Sequence, residues 1–250
     1  MSKLDDIISG LPVTASAKIL DVGCGNGFLI AELQKKFKYV VGIDISRGLL
    51  KKAKANLLHR QEVGENKVDF CVASAAQIPF KQRSFNIVIF SELIEHIDNV
   101  EAVFDEAQYI LKKEGMLILT IPVWWVVAVI TFFNKDFMKF SGHVQRFKLK
   151  ETKELLGKYG FEIVKIMNYY SEWAVIYTIE AIFSQRFSDC DRRYDKYETI
   201  PKESCWDKIE QLMKRVVRRM EKAAFTDMMI NFLNLIYPKS YIFLCKKAGD

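Results

Sequence analysis

The stretch Leu20-Asp21-Val22-Gly23-Cys24-Gly25-Asn26-Gly27 decides the fold. Its first residues belong to the largely apolar run 18–22, which predicts a buried strand. After it come apolar residues at helical spacing over 28–37, which predict a helix. Glycines between a strand and a helix let the backbone turn sharply and approach a ligand closely. The helix start presents free N–H groups, which suit an anionic group such as a carboxylate or a phosphate.

Similar apolar, β-branched runs recur along the chain, and amphipathic stretches separate most of them. The predicted strands are 18–22, 39–44, 68–72, 85–90, 115–121, 161–166 and 241–245. Strands that alternate with helices favour parallel βαβ units covered on both faces. The sequence therefore predicts an α/β fold with a seven-stranded, mostly parallel sheet sandwiched by helices, whose last strand is antiparallel.

The chain of 250 residues is long enough for one sizeable core, so we interpret 1–250 as a single domain. Its core comprises about 15–168 and 240–247. The intervening residues, about 169–239, predict a helical insertion before the last strand, because a structureless loop of that length is improbable.

Composition excludes several classes of protein. The five cysteines are scattered and the histidines number three, which disfavours a zinc site or a disulfide framework, so we expect no metal. The net charge of +6 is mild and does not indicate nucleic acid as a partner. The scattered cysteines favour a reducing cytoplasm, and the first ten residues do not show the apolar core of a secretory signal.

The spacing of the glycine turn points to an amino-acid head group. A dinucleotide fingerprint reads GxGxxG, whereas this chain has GxGxG after the acid Asp21. Asp21 would repel a pyrophosphate but accepts hydrogen bonds from an ammonium group. A glycine turn for a carboxylate and Asp21 for an ammonium together suit an amino acid.

Asp44 ends the second predicted strand, about twenty residues after the turn, where a ribose-binding acid is expected. Its carboxylate is able to accept hydrogen bonds from both ribose hydroxyls. The apolar Ile45 follows and is suited to cover one face of a purine. The pattern predicts a ligand with an amino-acid part and a nucleoside part.

These segments resemble class I S-adenosylmethionine-dependent methyltransferases, which are Rossmann-like, and in particular those of quinone biosynthesis. The resemblance extends over residues 15–168 and the final strand. The segments that carry it are 19–27, 41–46, 73–80, 85–98, 142–147 and 155–161.

The resemblance implies S-adenosylmethionine as cofactor and assigns its contacts. The methionine part would contact Asp21, Gly23, Cys24, Gly25 and Gly27, and the ribose would contact Asp44. The adenine would contact Ile45, Ser74 and Ala75. The sulfonium end would lie near the backbone of Ser91. Many relatives have an acid at the position of Ser74. Adenine recognition is therefore expected to depend on the backbone of Ala75.

Methyl transfer to a hydroxyl requires a base, for which His96 and His143 are the candidates. A carbon or amine acceptor would not require one, and either histidine is equally suited to a packing or capping role. The alternative to an enzyme is a non-catalytic regulatory protein that binds S-adenosylmethionine with the same fold.

Two segments favour a small, lipophilic acceptor such as a quinone or lipid precursor. Residues 121–133 carry no charge, although they are too few to span a bilayer. Residues 208–223 combine six basic and two acidic side chains with helically spaced apolar ones. Such segments either contact a membrane surface peripherally or form a helical lid that caps the sheet. The sequence does not predict the oligomeric state.

Overall fold

The computed structural model describes residues 11, 13–59, 67–133, 141–169 and 240–249. They belong to two compact units. The first, here called the sheet unit, comprises Met1–Ile121, Leu149–Ile166 and Ile242–Asp250. The second unit comprises Pro122–Lys148 and Met167–Tyr241. The interpretation of the chain as one domain stays a prediction.

A seven-stranded sheet confirms the predicted α/β architecture, and its strands follow the order β3-β2-β1-β4-β5-β7-β6. The strands are β1 (Lys18–Val22), β2 (Tyr39–Asp44), β3 (Lys67–Val72), β4 (Phe85–Ser91), β5 (Leu111–Pro122), β6 (Phe161–Tyr169) and β7 (Ser240–Lys247). Strands β1 to β5 pair in parallel. In β1, the side chains of Ile19, Leu20 and Val22 are fully buried, as expected for a parallel sheet covered on both faces.

The last strand runs opposite to its neighbours, as predicted. The N–H of Ala248, just after β7, donates to the carbonyl of Gly160, just before β6, at 2.9 Å. The buried Lys247 Nζ donates to the carbonyls of Gln108 at 2.6 Å and Leu111 at 3.4 Å, where β5 begins. The end of β7 thus lies at the beginnings of β5 and β6, and β7 fills the position between them.

Five α-helices connect the described strands. They are α1 (Phe28–Leu33), α2 (Arg47–His59), α3 (Val100–Ile110), α4 (Trp124–Phe133) and α5 (Leu149–Lys158). Helix α3 begins where the Asn99 side chain accepts a hydrogen bond from Ala102 N, a typical N-cap. Its buried Phe104 contacts the rings of Phe90 and Tyr159 and thereby attaches the helix to the core of the sheet unit.

Several boundaries differ from the sequence prediction. Strand β5 starts at Leu111 instead of 115, because residues 112–115 form an irregularity between two paired stretches of β4 and β5. Helix α1 ends at Leu33 instead of 37, where the chain tightens into turns. The predicted insertion 169–239 lies outside the described residues except for Tyr169, which ends β6. The basic segment 208–223 also lies outside them.

In the second unit, the apolar segment after β5 forms helix α4. Val126 and Val127 are buried, whereas Trp124 is 40% and Phe132 is 76% exposed. Within the part of the chain that the structure describes, no helix is long and apolar enough to cross a membrane.

Candidate functional site

The glycine turn after β1 is held against the end of β2. The N–H groups of Gly23 and Cys24 both donate to the carbonyl of Ile43, at 2.8 and 2.9 Å. Gly23, Gly25 and Gly27 have φ values of +72°, +54° and +78°. Side chains are disfavoured in this left-handed region, so the three glycines allow a turn that other residues would strain.

The three glycines face different surroundings. A Cβ built at Gly23 would lie 2.6 Å from Leu93 Cδ1, and one at Gly27 would lie 2.8 Å from Ala53 Cβ. A Cβ at Gly25 would meet nothing within 4 Å. Gly23 and Gly27 therefore serve close packing, whereas Gly25 borders open space in which a ligand is able to approach the backbone.

Asp21 supplies a buried carboxyl beside this space. The residue is 2% exposed, and no described residue donates a hydrogen bond to its Oδ1. Burial, reinforced by the charge of Asp44, raises the pKa of Asp21 to about 8. A buried acceptor without a donor is costly, so the site suits a ligand that brings a donor. An ammonium group meets this requirement and also restores the charged form of the carboxyl.

Asp44 lies at the same turn, as the sequence predicts. Its Oδ2 accepts the N–H of Gly25 at 2.9 Å, and its Oδ1 accepts the N–H of Ser46 at 2.8 Å. Each carboxylate oxygen has a second lone pair available for a ligand hydroxyl. The structure thus brings Asp21, Gly25 and Asp44 together.

The residues predicted to contact adenine follow β2 and β3. Ile45 is 77% exposed, which is consistent with a side chain available to a ligand. The loop after β3 is tied to β2 by a hydrogen bond from Ala73 N to the carbonyl of Asp44 at 3.2 Å. The Ser74 hydroxyl accepts the N–H of Ala76 at 3.2 Å, so part of its capacity is used within the loop. Ser74 and Ala75 are partly exposed, and their contact with adenine stays a prediction.

The end of β4 contains an arrangement that the sequence did not reveal. Ser91 is partly buried, and the next residue, Glu92, has a φ of +49°. Thr120 of β5 accepts the N–H of Glu92 at 2.9 Å and donates to the Glu92 carboxylate at 3.0 Å. A left-handed glutamate held by a tertiary hydrogen bond leaves no local sequence signal.

The two candidate bases lie in different units. His96 is exposed and ends the short 3₁₀ turn Ile94–His96 in the sheet unit. His143 of the second unit is partly buried, and its backbone N–H donates to Ser141 Oγ at 3.4 Å. Their role as bases stays a prediction.

Cys24 is buried, with its Sγ packed against Gly42. Burial, together with the nearby Asp21 and Asp44 carboxyls, raises the pKa of its thiol above the ordinary range. An uncharged, buried thiol is a poor nucleophile. Cys24 therefore contributes packing under the turn, and its contact with the methionine part of a ligand stays a prediction.

The sequence is similar to known methyltransferases. Residues 20–119 match a family described as a methyltransferase domain. The chain is 31% identical over 102 residues to a ubiquinone biosynthesis O-methyltransferase of Pelagibacter ubique, covering 41% of this chain and 40% of the relative. It is 30% identical over 149 residues to the Bartonella bacilliformis protein of the same name, covering 57% and 58%. The chain thus spans about half the length of these curated relatives.

The fold also has solved neighbours. A Bacillus halodurans protein described as a methyltransferase superposes with a TM-score of 0.64 over 99% of both chains, at 18% identity. An identity this low supports the fold alone. The evidence for the chemistry is therefore the sequence match over 20–119 together with the geometry of Asp21, Gly25 and Asp44.

Proposed function

We propose that this chain, whose residues 20–119 match a family described as a methyltransferase domain, is a class I S-adenosylmethionine-dependent methyltransferase and transfers the methyl group of S-adenosylmethionine to a small-molecule acceptor. The observation that carries the proposal is the grouping of a buried acceptor at Asp21, open space at Gly25 and the Asp44 carboxylate. An amino acid joined to a nucleoside needs all three.

The residues fit the cofactor group by group. Asp21 would accept hydrogen bonds from the ammonium of the methionine part, and the turn at Gly25 would hold its carboxylate. Each Asp44 carboxylate oxygen accepts one backbone N–H, from Gly25 or Ser46, and would bind a ribose hydroxyl through its other lone pair. Ile45 covers one face of the adenine, and the loop of Ser74 and Ala75 borders its edge.

The bound cofactor supplies a methyl group on a positively charged sulfur, which is already an activated leaving group. The protein therefore needs mainly to orient donor and acceptor in line, and such alignment supplies several kcal/mol of the barrier. For a hydroxyl acceptor, His96 or His143 removes the proton as general base. The names of the O-methyltransferase relatives favour a hydroxyl.

We further propose that the acceptor is lipophilic, such as a quinone or lipid precursor. Helix α4 supports this, because its ten residues are uncharged and it exposes Trp124 and Phe132. Lys148 Nζ lies 6.0 Å from the centre of the Trp124 ring. Aromatic side chains next to cations suit either a membrane surface or a pocket for an aromatic, apolar molecule.

A radiolabel experiment tests the reaction and the acceptor together. The protein is incubated with methyl-labelled S-adenosylmethionine and a cell extract, and the products are partitioned between organic solvent and water. Label in the organic phase is expected, and it should be absent with Gly25→Val protein. Label only in a water-soluble product contradicts the lipophilic acceptor. Tight cofactor binding with no product in any extract supports the non-catalytic alternative.

Co-sedimentation with liposomes tests peripheral membrane contact. The full chain is expected to bind anionic vesicles at low salt, and Trp124→Ser with Phe132→Ser should weaken binding severalfold. Tyr109→Ser is the matched control, because Tyr109 is an aromatic residue of the sheet unit with 49% exposure. If the chain binds neither neutral nor anionic vesicles, membrane contact is excluded, and the alternative of a helical lid that caps the sheet is favoured.

A further inference from the structure

Glu92 has a strained backbone at the ligand-binding edge of the sheet. Among the described residues, three non-glycines have a positive φ, namely Arg83, Glu92 and Glu114. Arg83 precedes β4 and Glu114 lies in the irregularity of β5, both far along these strands from their carboxyl ends. Glu92 directly follows the carboxyl end of β4. Strain of this kind persists only where the surrounding structure enforces it, and it concentrates at functional sites.

Thr120 enforces the conformation of Glu92. Its hydroxyl accepts the backbone N–H of Glu92 at 2.9 Å and donates to Glu92 Oε1 at 3.0 Å, and its backbone carbonyl accepts the same N–H at 3.3 Å. Thr120 is 5% exposed, so these bonds form away from water. One hydroxyl thus fixes both the backbone and the carboxylate of Glu92.

The bend at Glu92 places its two neighbours. Ser91 precedes it, and Leu93 follows it. The Leu93 side chain packs against Gly23, because a Cβ built at Gly23 would lie 2.6 Å from Leu93 Cδ1. Strands β1, β4 and β5 are adjacent in the sheet. The contacts therefore run from Thr120 on β5, through Glu92 after β4, to the glycine turn after β1.

We propose that Thr120 is a positioning residue for the amino-acid end of the methyl donor. By holding Glu92, it presses Leu93 against Gly23 and sets the glycine turn, and it places the Ser91 backbone beside the sulfonium. This inference rests on the proposed function. It predicts that the loss of the hydroxyl affects the methionine part of the ligand and spares the nucleoside part at Asp44.

Calorimetry with two probes tests this division, using S-adenosylhomocysteine for the whole ligand and adenosine for the nucleoside part. Thr120→Val should raise the Kd for S-adenosylhomocysteine about tenfold, as for the loss of a buried hydrogen bond. The Kd for adenosine should stay within about twofold. Thr120→Ser keeps the hydroxyl and should restore the affinity for S-adenosylhomocysteine. Thr152→Val is the matched control, since Thr152 is a fully buried threonine of α5.

The outcomes separate the inference from the function. If wild-type protein binds S-adenosylhomocysteine and Thr120→Val binds it equally well, the positioning role is wrong and the proposed function stands. Equal weakening of both probes, or similar weakening in Thr152→Val, indicates general destabilisation and also overturns the inference. If wild-type protein binds neither probe, the proposed function fails and the inference fails with it.

Discussion

The glycine turn of the sheet unit and helix α4 of the second unit are both proposed to contact ligands. They differ in how narrowly they define the chemistry of the ligand. The turn joins Asp21, Gly25 and Asp44 through directional hydrogen bonds, so it specifies charge, shape and donor positions. Helix α4 offers apolar and aromatic surface, and apolar burial is non-directional. Polar geometry therefore points to one cofactor, whereas an apolar helix points only to a class of acceptor.

The largest expected effect is on ligand binding at the glycine turn. Gly25→Val should abolish measurable binding of S-adenosylhomocysteine, because the side chain would fill the space that faces the ligand. Gly160→Val is the matched control, since Gly160 also has a positive φ, of +67°. Both variants should lose some stability, but their circular dichroism spectra should show that they still fold. Normal affinity in folded Gly25→Val would mean that the turn is not the site.

The next effect concerns the acceptor side. His96→Ala or His143→Ala should lower methyl transfer to a hydroxyl acceptor by about a hundredfold, the lower range for a general base. The Kd for S-adenosylhomocysteine should change by less than about twofold. His59→Ala, the remaining histidine of the chain, provides the control. Full turnover in both variants would remove general-base catalysis by histidine.

Asp44→Ala tests the ribose contact. Loss of a charge-assisted hydrogen bond costs about 1.5–3 kcal/mol, so calorimetry should show ten- to hundredfold weaker binding of S-adenosylhomocysteine. The exposed Asp69, paired with Lys67 on β3, allows the same substitution without an expected effect. Unchanged affinity in Asp44→Ala would refute the ribose assignment.

A pH-dependent effect, smaller for each pH unit than the loss expected for Asp44→Ala, tests the role of Asp21. Because its pKa is raised to about 8 while the ligand ammonium needs the carboxylate, binding should release a proton below that pH. Affinity should therefore rise between pH 6 and 8, by at most about tenfold per pH unit. Titrations in buffers of different ionisation enthalpy measure the proton. Asp21→Asn should abolish the dependence, and a flat profile in the wild type would contradict the assignment.

The same shift affects the ligand-free fold. A carboxyl with a raised pKa contributes stability that is present at low pH and is lost as the pH rises through about 8. The Tm of the wild type should therefore fall between pH 5 and 8 relative to that of Asp21→Asn. A parallel pH profile in the two proteins would show that Asp21 is charged without its ligand.

Sequence patterns predicted the sheet because its signals are local. Buried parallel strands such as β1 and β4 read as continuous apolar runs, and glycines mark the turn. Asp21 and Asp44 were identified by spacing, since strand ends in a parallel sheet share one edge. The start of β5 was missed because the charged residues 112–114 interrupt the apolar pattern before Gly115, whereas the structure accommodates residues 112–115 between two paired stretches.

Tertiary contacts account for what the sequence did not reveal. The left-handed Glu92 depends on Thr120, 28 residues away, and no local sequence pattern indicates that the two side chains meet. The separate packing roles of Gly23 and Gly27 depend on Leu93 and Ala53. Such roles arise from side chains that meet only after the strands have assembled.

The position of β7 has a consequence for the order of folding. Strands β1 to β5 are neighbours in a continuous part of the sequence, but β7 fills the place between β5 and β6 and closes it with Lys247. During synthesis, the first five strands are available to assemble while the last two sheet positions remain incomplete. Until residues 240–247 leave the ribosome, β5 therefore presents an unpaired edge, which is the kind of surface that chaperones protect and that aggregation exploits.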